Sequence, residues 1–199
     1  MNIPLETQLL TPEDLLNLPD GGAGFELVDG RLVELHMSVL SCMVAGMLHA
    51  LLVAYCHPKR LGWVFPQDSE FQYDPDAPRK VRKPDAAFIR LDRLPDSEWA
   101  KGFCHVVPDL AVEVISPNDT FDEVDTKVEE YLRLGVQIVW VVSLQTRQVY
   151  VHRADGTMAK VRENEELSGE GLIPGFRCRV SDLFPTGRIT GPTPNGSRP

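Results

Sequence analysis

Two apolar runs, residues 110–116 (LAVEVIS) and 137–143 (QIVWVVS), bracket a segment of helical periodicity. The first is a mostly apolar strand broken only by Glu113, and the second is nearly all apolar, as expected of a strand covered on both faces. Between them Pro117-Asn118-Asp119 turns the chain. The spacing then predicts a helix from about Thr120 to Leu134, stopped by Gly135. At 100° per residue, Phe121, Val124, Val128, Tyr131 and Leu132 form its buried stripe, and Asp122, Glu123 and Glu130 its acidic outer face. A helix joining two such strands is a crossover, so the strands are parallel neighbours. That requirement confines the chain to an α/β-type architecture, a mixed sheet with helices packed on it.

The remaining segments fit around this unit. Thr11-Pro12-Glu13-Asp14 reads as a helix start, with Thr as N-cap, Pro in the first turn and acids behind it. Residues 25–28 and 31–35 flank Asp29-Gly30, a two-residue hairpin signal. Residues 39–56 carry no formal charge and stand at the lower edge of membrane-spanning length. Ser41, Gly46 and His49 interrupt them, and no second such stretch accompanies them, so we read a helix buried in a soluble core. Cys42, His49 and Cys56 repeat every seven residues along it, a spacing of about 10 Å that suits packing better than metal ligation. Strands are expected over 62–73, 84–90 and 149–153, with a loop at 74–82 and small strands and turns over 156–185. The Pro/Gly-rich residues 185–199 read as a disordered tail after a domain over 1–184.

Composition removes several function classes. At 199 residues the chain suits one domain with a full-sized core. The net charge of −9 is unlike that of a protein that coats DNA, so nucleic-acid contacts must come from a local patch. The densest basic cluster is Arg79, Lys80, Arg82 and Lys83, read either as a backbone-phosphate contact or as a solvated loop. Four scattered cysteines without a CxxC pair, and an N-terminus lacking a basic-then-apolar leader pattern, place the chain in a reducing cytoplasm. Neither GxxxxGK[ST] nor GxSxG occurs, which leaves P-loop and serine-hydrolase chemistry without support.

Two acids interrupt the apolar strands. Glu113 breaks LAVEVIS, and Asp85 opens DAAFI after Pro84. Burying an ionised carboxylate costs several kcal/mol unless a cation or hydrogen bonds compensate. If their strands are neighbours, the two carboxylates converge at one end of the sheet, where hard oxygen donors suit Mg²⁺ or Mn²⁺. The plainer alternatives are a Pro-Asp turn for Asp85 and a solvent-facing sheet for Glu113. Lys127 flanks the buried stripe of the crossover helix. It either reaches back to the preceding strand or makes an exposed pair with Glu123.

Taken together, FELVDG, RKPDAAFI, PDLAVEVISPNDT and EVDTKVEEYLRLGVQIVWVVS resemble the Uma-type family of endonucleases, assigned to the PD-(D/E)XK restriction-endonuclease-like superfamily. The resemblance runs from about Thr11 to Phe184. It implies an α/β (α+β) fold, a restriction-endonuclease-like mixed β-sheet core flanked by helices. It also implies metal ligation by Asp85, by Glu113 and by the backbone carbonyl of Val114. Ile115 stands where the superfamily's acid-x-Lys lysine would be, and the resemblance gives that role to Lys127. Glu26 matches an acid that such folds place near the metal; on the strand pattern alone it is equally a hairpin acid. One departure is the absence of a histidine after Met37-Ser38, where many relatives carry one. The expected activity is Mg²⁺- or Mn²⁺-dependent hydrolysis of nucleic acid, DNA foremost, by a monomer or homodimer away from membranes. The alternatives are a non-catalytic module on the nuclease fold and a metal-dependent phosphohydrolase with another substrate.

Overall fold

The computed structural model describes residues 9–35, 38–100, 102–115 and 119–185. Thr11 caps a short helix α1 (Pro12–Leu16) through a reciprocal bond pair with Asp14, the arrangement its sequence predicts. The hairpin β1 (Phe25–Val28) and β2 (Arg31–Glu34) closes on Asp29-Gly30, both at positive φ (51° and 78°). A two-residue turn of that hand matches the twist of the strands it joins.

The main sheet has six strands in the order β3 (Gly62–Pro66), β4 (Ala86–Arg90), β5 (Leu110–Ile115), β6 (Ile138–Ser143), β7 (Gln148–Arg153) and β8 (Met158–Val161). The β5–β6 pair is parallel and joined by the crossover helix α3 (Phe121–Arg133), and every other pair in this sheet is antiparallel. A small antiparallel pair, β9 (Glu166–Ser168) with β10 (Arg177–Arg179), lies beyond it.

The 18-residue helix α2 (Val39–Cys56) covers one sheet face. It is long and apolar enough to cross a membrane by length and composition alone. Here its Val44, Leu48 and Leu52 pack with Val112, Val114, Trp140 and Val142 in the largest core cluster. On the opposite face α3 sets Val128 and Tyr131 against Ala111, Val139 and Val141. The period-2 alternation of β5 and β6 therefore feeds two cores, which explains why neither strand carries a polar side.

Three expectations change. The strand predicted over 62–73 ends at Pro66, which cannot donate to a ladder, and Asp68 follows at a φ of 69°. Phe121 does not join the buried stripe of α3; as the first residue of the helix it is 80 % exposed. Glu130, expected on the acidic outer face, is buried. The residues read as a C-terminal tail lie outside the described residues from 186 onward, as do His36 and Met37.

Gly62 shows how tightly the sheet edge is built. A Cβ there would meet the Ile89 carbonyl oxygen at 2.2 Å and the Phe88 ring at 2.6 Å. Gly62→Ala is expected to destabilise the fold by about 1–3 kcal/mol or more, because backbone must move to admit the methyl group. Urea unfolding checks this, and an unchanged midpoint would contradict the packing.

Candidate active site

The β4–β5 register aligns Ala86 with Val112, so Asp85, one residue earlier, stands opposite Glu113. Alternation puts both on the face that α3 covers, since Ala87 and Ala111 also point that way. Asp85 keeps its ladder bond, donating its N–H to the Val112 carbonyl at 2.9 Å. Its Oδ2 accepts the Val114 N–H at 2.6 Å, fixing the carboxylate across the strand end. Tyr131 donates its hydroxyl to Glu113 Oε1 at 2.8 Å. Lys127 places Nζ 3.3 Å from Glu113 Oε2 and 3.2 Å from Glu26 Oε2.

Behind these groups lies a buried ionic lattice. Arg82 bonds Glu26 Oε2 through one terminal nitrogen at 3.0 Å. Its Nε and other terminal nitrogen bind Glu130 at 3.0 and 2.6 Å. Lys80 Nζ reaches Glu130 Oε2 at 3.0 Å. The Lys83 N–H donates to Glu26 Oε1 at 2.9 Å, while its Nζ pairs with Glu70 at 2.7 Å and donates to the Gly22 carbonyl at 3.0 Å. Glu26 is wholly buried and bound from three sides, so it is no solvated hairpin acid.

Three of the four cations read as phosphate contacts thus serve the interior. Arg82 and Lys83 are buried and Lys80 is largely so, because acids in the core require partners; Arg79 is exposed. Lys80, Arg82 and Lys83 are the counter-charge of Glu26, Glu70 and Glu130. Glu130 itself reads in the sequence as an outer-face acid, although it shares an i, i+3 ridge with Lys127.

Asp85 differs from the buried acids around it. Glu26, Asp74, Asp109, Glu113 and Glu130 each have an Arg or Lys nitrogen within 3.3 Å. Among the described residues the Asp85 carboxylate has no Arg or Lys nitrogen at ion-pair distance, and it accepts the Val114 N–H. Burial first and the Glu113 charge second push its carboxyl up to about 7, against the opposing pull of Val114 N–H and Lys127. Glu113 is raised as well, by burial above all and by Glu26, with Lys127 and Tyr131 opposing. Burial works against the charge of Lys127, but Glu113 and Glu26 outweigh it, and its pKa is raised. Lys127 is therefore a fixed cation and not a proton acceptor near neutrality.

These groups open onto a cleft of about 460 Å³, reached past Glu34, Asp68, Asp119, Asp122 and Glu123. Among the described residues no set of three or more His, Cys, Asp or Glu side chains is arranged to hold a metal ion. Two carboxylates with the rest of the shell left to water is what Mg²⁺ commonly accepts, and an acid without a basic partner fits a cation there.

The family model described as "Uma2: Putative restriction endonuclease" matches residues 12–181. The chain belongs to the Uma2 family. No curated protein sequence matches it. Among solved structures, it is similar to a "putative nuclease belonging to DUF820" from Anabaena variabilis, with a TM-score of 0.72 at 17 % identity. That match covers 88 % of this chain and 97 % of the other, and at this identity it speaks for the nuclease fold. In this Uma2 chain the position two residues after Glu113 is Ile115, at the end of β5. The ammonium group beside Glu113 instead comes from α3, fourteen residues on from the acid.

Proposed function

We propose that this protein is a divalent-cation-dependent nuclease that hydrolyses a phosphodiester bond at the Asp85–Glu113 pair. The observation that carries the reading is the carboxylate pair itself: among the described residues one acid has no basic group at ion-pair distance, and a fixed ammonium stands 3.3 Å from the other. Asp85, Glu113 and the Val114 carbonyl would hold Mg²⁺ or Mn²⁺, which supplies Lewis-acid polarisation of the phosphate and activation of water. Lys127 offers its N–H bonds to the negative charge that develops on the phosphoryl oxygens. Glu26 holds Lys127 in place from behind, Tyr131 fixes the Glu113 carboxylate, and Val114 N–H fixes that of Asp85. Nucleic acid, with DNA first, is the substrate the family description favours.

The acidic rim of the cleft favours a second reading, a phosphohydrolase acting on a substrate smaller than a polyanion. Plasmid nicking and hydrolysis of bis(p-nitrophenyl) phosphate, each with Mn²⁺ or Mg²⁺, separate the two. Wild type is expected to nick plasmid, and Asp85→Ala and Lys127→Ala to lose the activity. Equal background cleavage by all three proteins would end the nuclease reading, and activity on the small diester alone would select the alternative.

A thermal measurement tests the metal separately. A carboxyl whose folded-state pKa is raised from 3.8 to about 7 costs stability once ionised; the cost is absent at low pH and full above the folded value. Asp85→Asn keeps an acceptor for Val114 N–H and removes the charge. At pH 8 in EDTA it is expected to melt a few degrees above wild type. Mn²⁺ should raise the wild-type melting temperature and leave the variant unmoved. A variant that melts lower in EDTA, or responds equally to Mn²⁺, contradicts the assignment.

A further inference from the structure

Beside the carboxylate cleft, on the other flank of α3, a second groove of about 420 Å³ lies between that helix and the β7–β8 edge of the sheet. We propose that this groove receives a single unstacked nucleobase of the substrate; the proposal rests on the phosphodiesterase reading of the neighbouring site. Three observations carry it. The two cavities adjoin, since Ile115, Asp119 and Val124 line both. A sugar-phosphate held at Asp85 and Glu113 thus has its base within reach of the groove.

The second observation is the lining. Phe121 is 80 % exposed on the first residue of α3, and it opens onto the groove together with Tyr150. Val128 and Val141 give the groove an apolar floor. A large aromatic left in water beside a concave apolar surface marks a binding site, and two rings provide stacking area that any base can use. The third observation is the polar edge. His152 and Gln145 line the groove, and neither side chain has a hydrogen-bond partner among the described residues. Burial lowers the His152 pKa, keeping the ring neutral with one donor and one acceptor nitrogen. Donor and acceptor groups along apolar walls match the edge and faces of a heterocycle. A bare phosphate fits poorly, because Asp119 and Asp125 face the same groove.

The test compares binding of the four deoxynucleoside 5′-monophosphates with deoxyribose 5-phosphate, which lacks the base, by calorimetry on the full chain with Mn²⁺. At least one nucleotide is expected to bind tenfold or more tightly than the sugar phosphate. Phe121→Ala should reduce that preference on the order of 10-fold or more, at unchanged Mn²⁺ affinity and circular dichroism. His152→Ala should change which base is preferred. No nucleotide exceeding deoxyribose 5-phosphate, or an undiminished preference in Phe121→Ala, would overturn the proposal. So would a wild-type dimer that Phe121→Ala converts to monomer, since the groove would then be an interface between copies. If base preference holds while no phosphodiester is cleaved, the nuclease reading fails and the base site stands.

Discussion

Arg82→Ala is expected to cost on the order of 3–5 kcal/mol of folding stability, the largest loss from any single side chain near the site. The guanidinium is buried and holds two buried carboxylates at once, Glu26 and Glu130, through three hydrogen bonds of 2.6–3.0 Å. Removing it leaves both acids in a low-dielectric interior, with Lys127 and Lys80 as their remaining cations. The loss is therefore the cost of uncompensated charge, well beyond the ~1 kcal/mol of a neutral hydrogen bond. Arg82→Lys retains the charge without the fork that binds two partners, so an intermediate loss is expected. Urea titration at pH 7.5 checks the order wild type, Lys, Ala.

Acid titration gives the same lattice an independent signature. Burial opposes ionisation of Glu130, but the bonds from Arg82 and Lys80 prevail and hold its carboxyl below the ordinary 4.5. A depressed acid contributes stability that is present above its unfolded value and lost as pH falls through the folded one. Wild type should therefore lose stability below about pH 4.5. In Glu130→Gln that contribution is missing at neutral pH, and the acid limb of its stability profile should be shallower. Identical profiles would show that the bonds to Glu130 are energetically idle.

How much of this was legible follows from which residues carry their reason in their neighbours along the chain. The crossover was readable because LAVEVIS and QIVWVVS have no polar side, and a helix between two such strands permits one arrangement. Asp85, Glu113 and Lys127 stood out because each breaks a local pattern, and the structure brings all three together. Glu130, Arg82 and Lys83 were misread for the converse reason. On a helical wheel Glu130 belongs to an acidic face, and in a loop Arg82 and Lys83 belong to a basic run. Apart from Glu70, the near partner of Lys83, their partners are 48, 56 and more positions away, a separation that periodicity does not register. Phe121 failed as a core residue because the stripe argument takes no account of where the sheet under a helix ends.

Lys127→Ala is expected to lower the rate of phosphodiester hydrolysis by 10²–10³-fold while tightening, not weakening, divalent-cation binding. The two effects have opposite signs because the ammonium has two neighbours. Toward a phosphate it is a donor aimed at developing negative charge, and its loss raises the barrier. Toward a cation held as proposed at Asp85 and Glu113 it would be a like charge 3.3 Å from Glu113 Oε2, and its loss would remove repulsion. The measurement belongs at pH 8.5, above the value of about 7 to which Asp85 is raised, because loss of the ammonium pushes both carboxyls further up. Lys127→Arg should restore part of the rate, since Glu26 and Glu113 remain to orient a cation, and should return Mn²⁺ affinity toward wild type. A merely structural lysine would behave differently, its loss loosening Glu113 and lowering rate and metal affinity together. A parallel fall in both quantities would thus remove Lys127 from the chemistry and leave it as a core counter-charge.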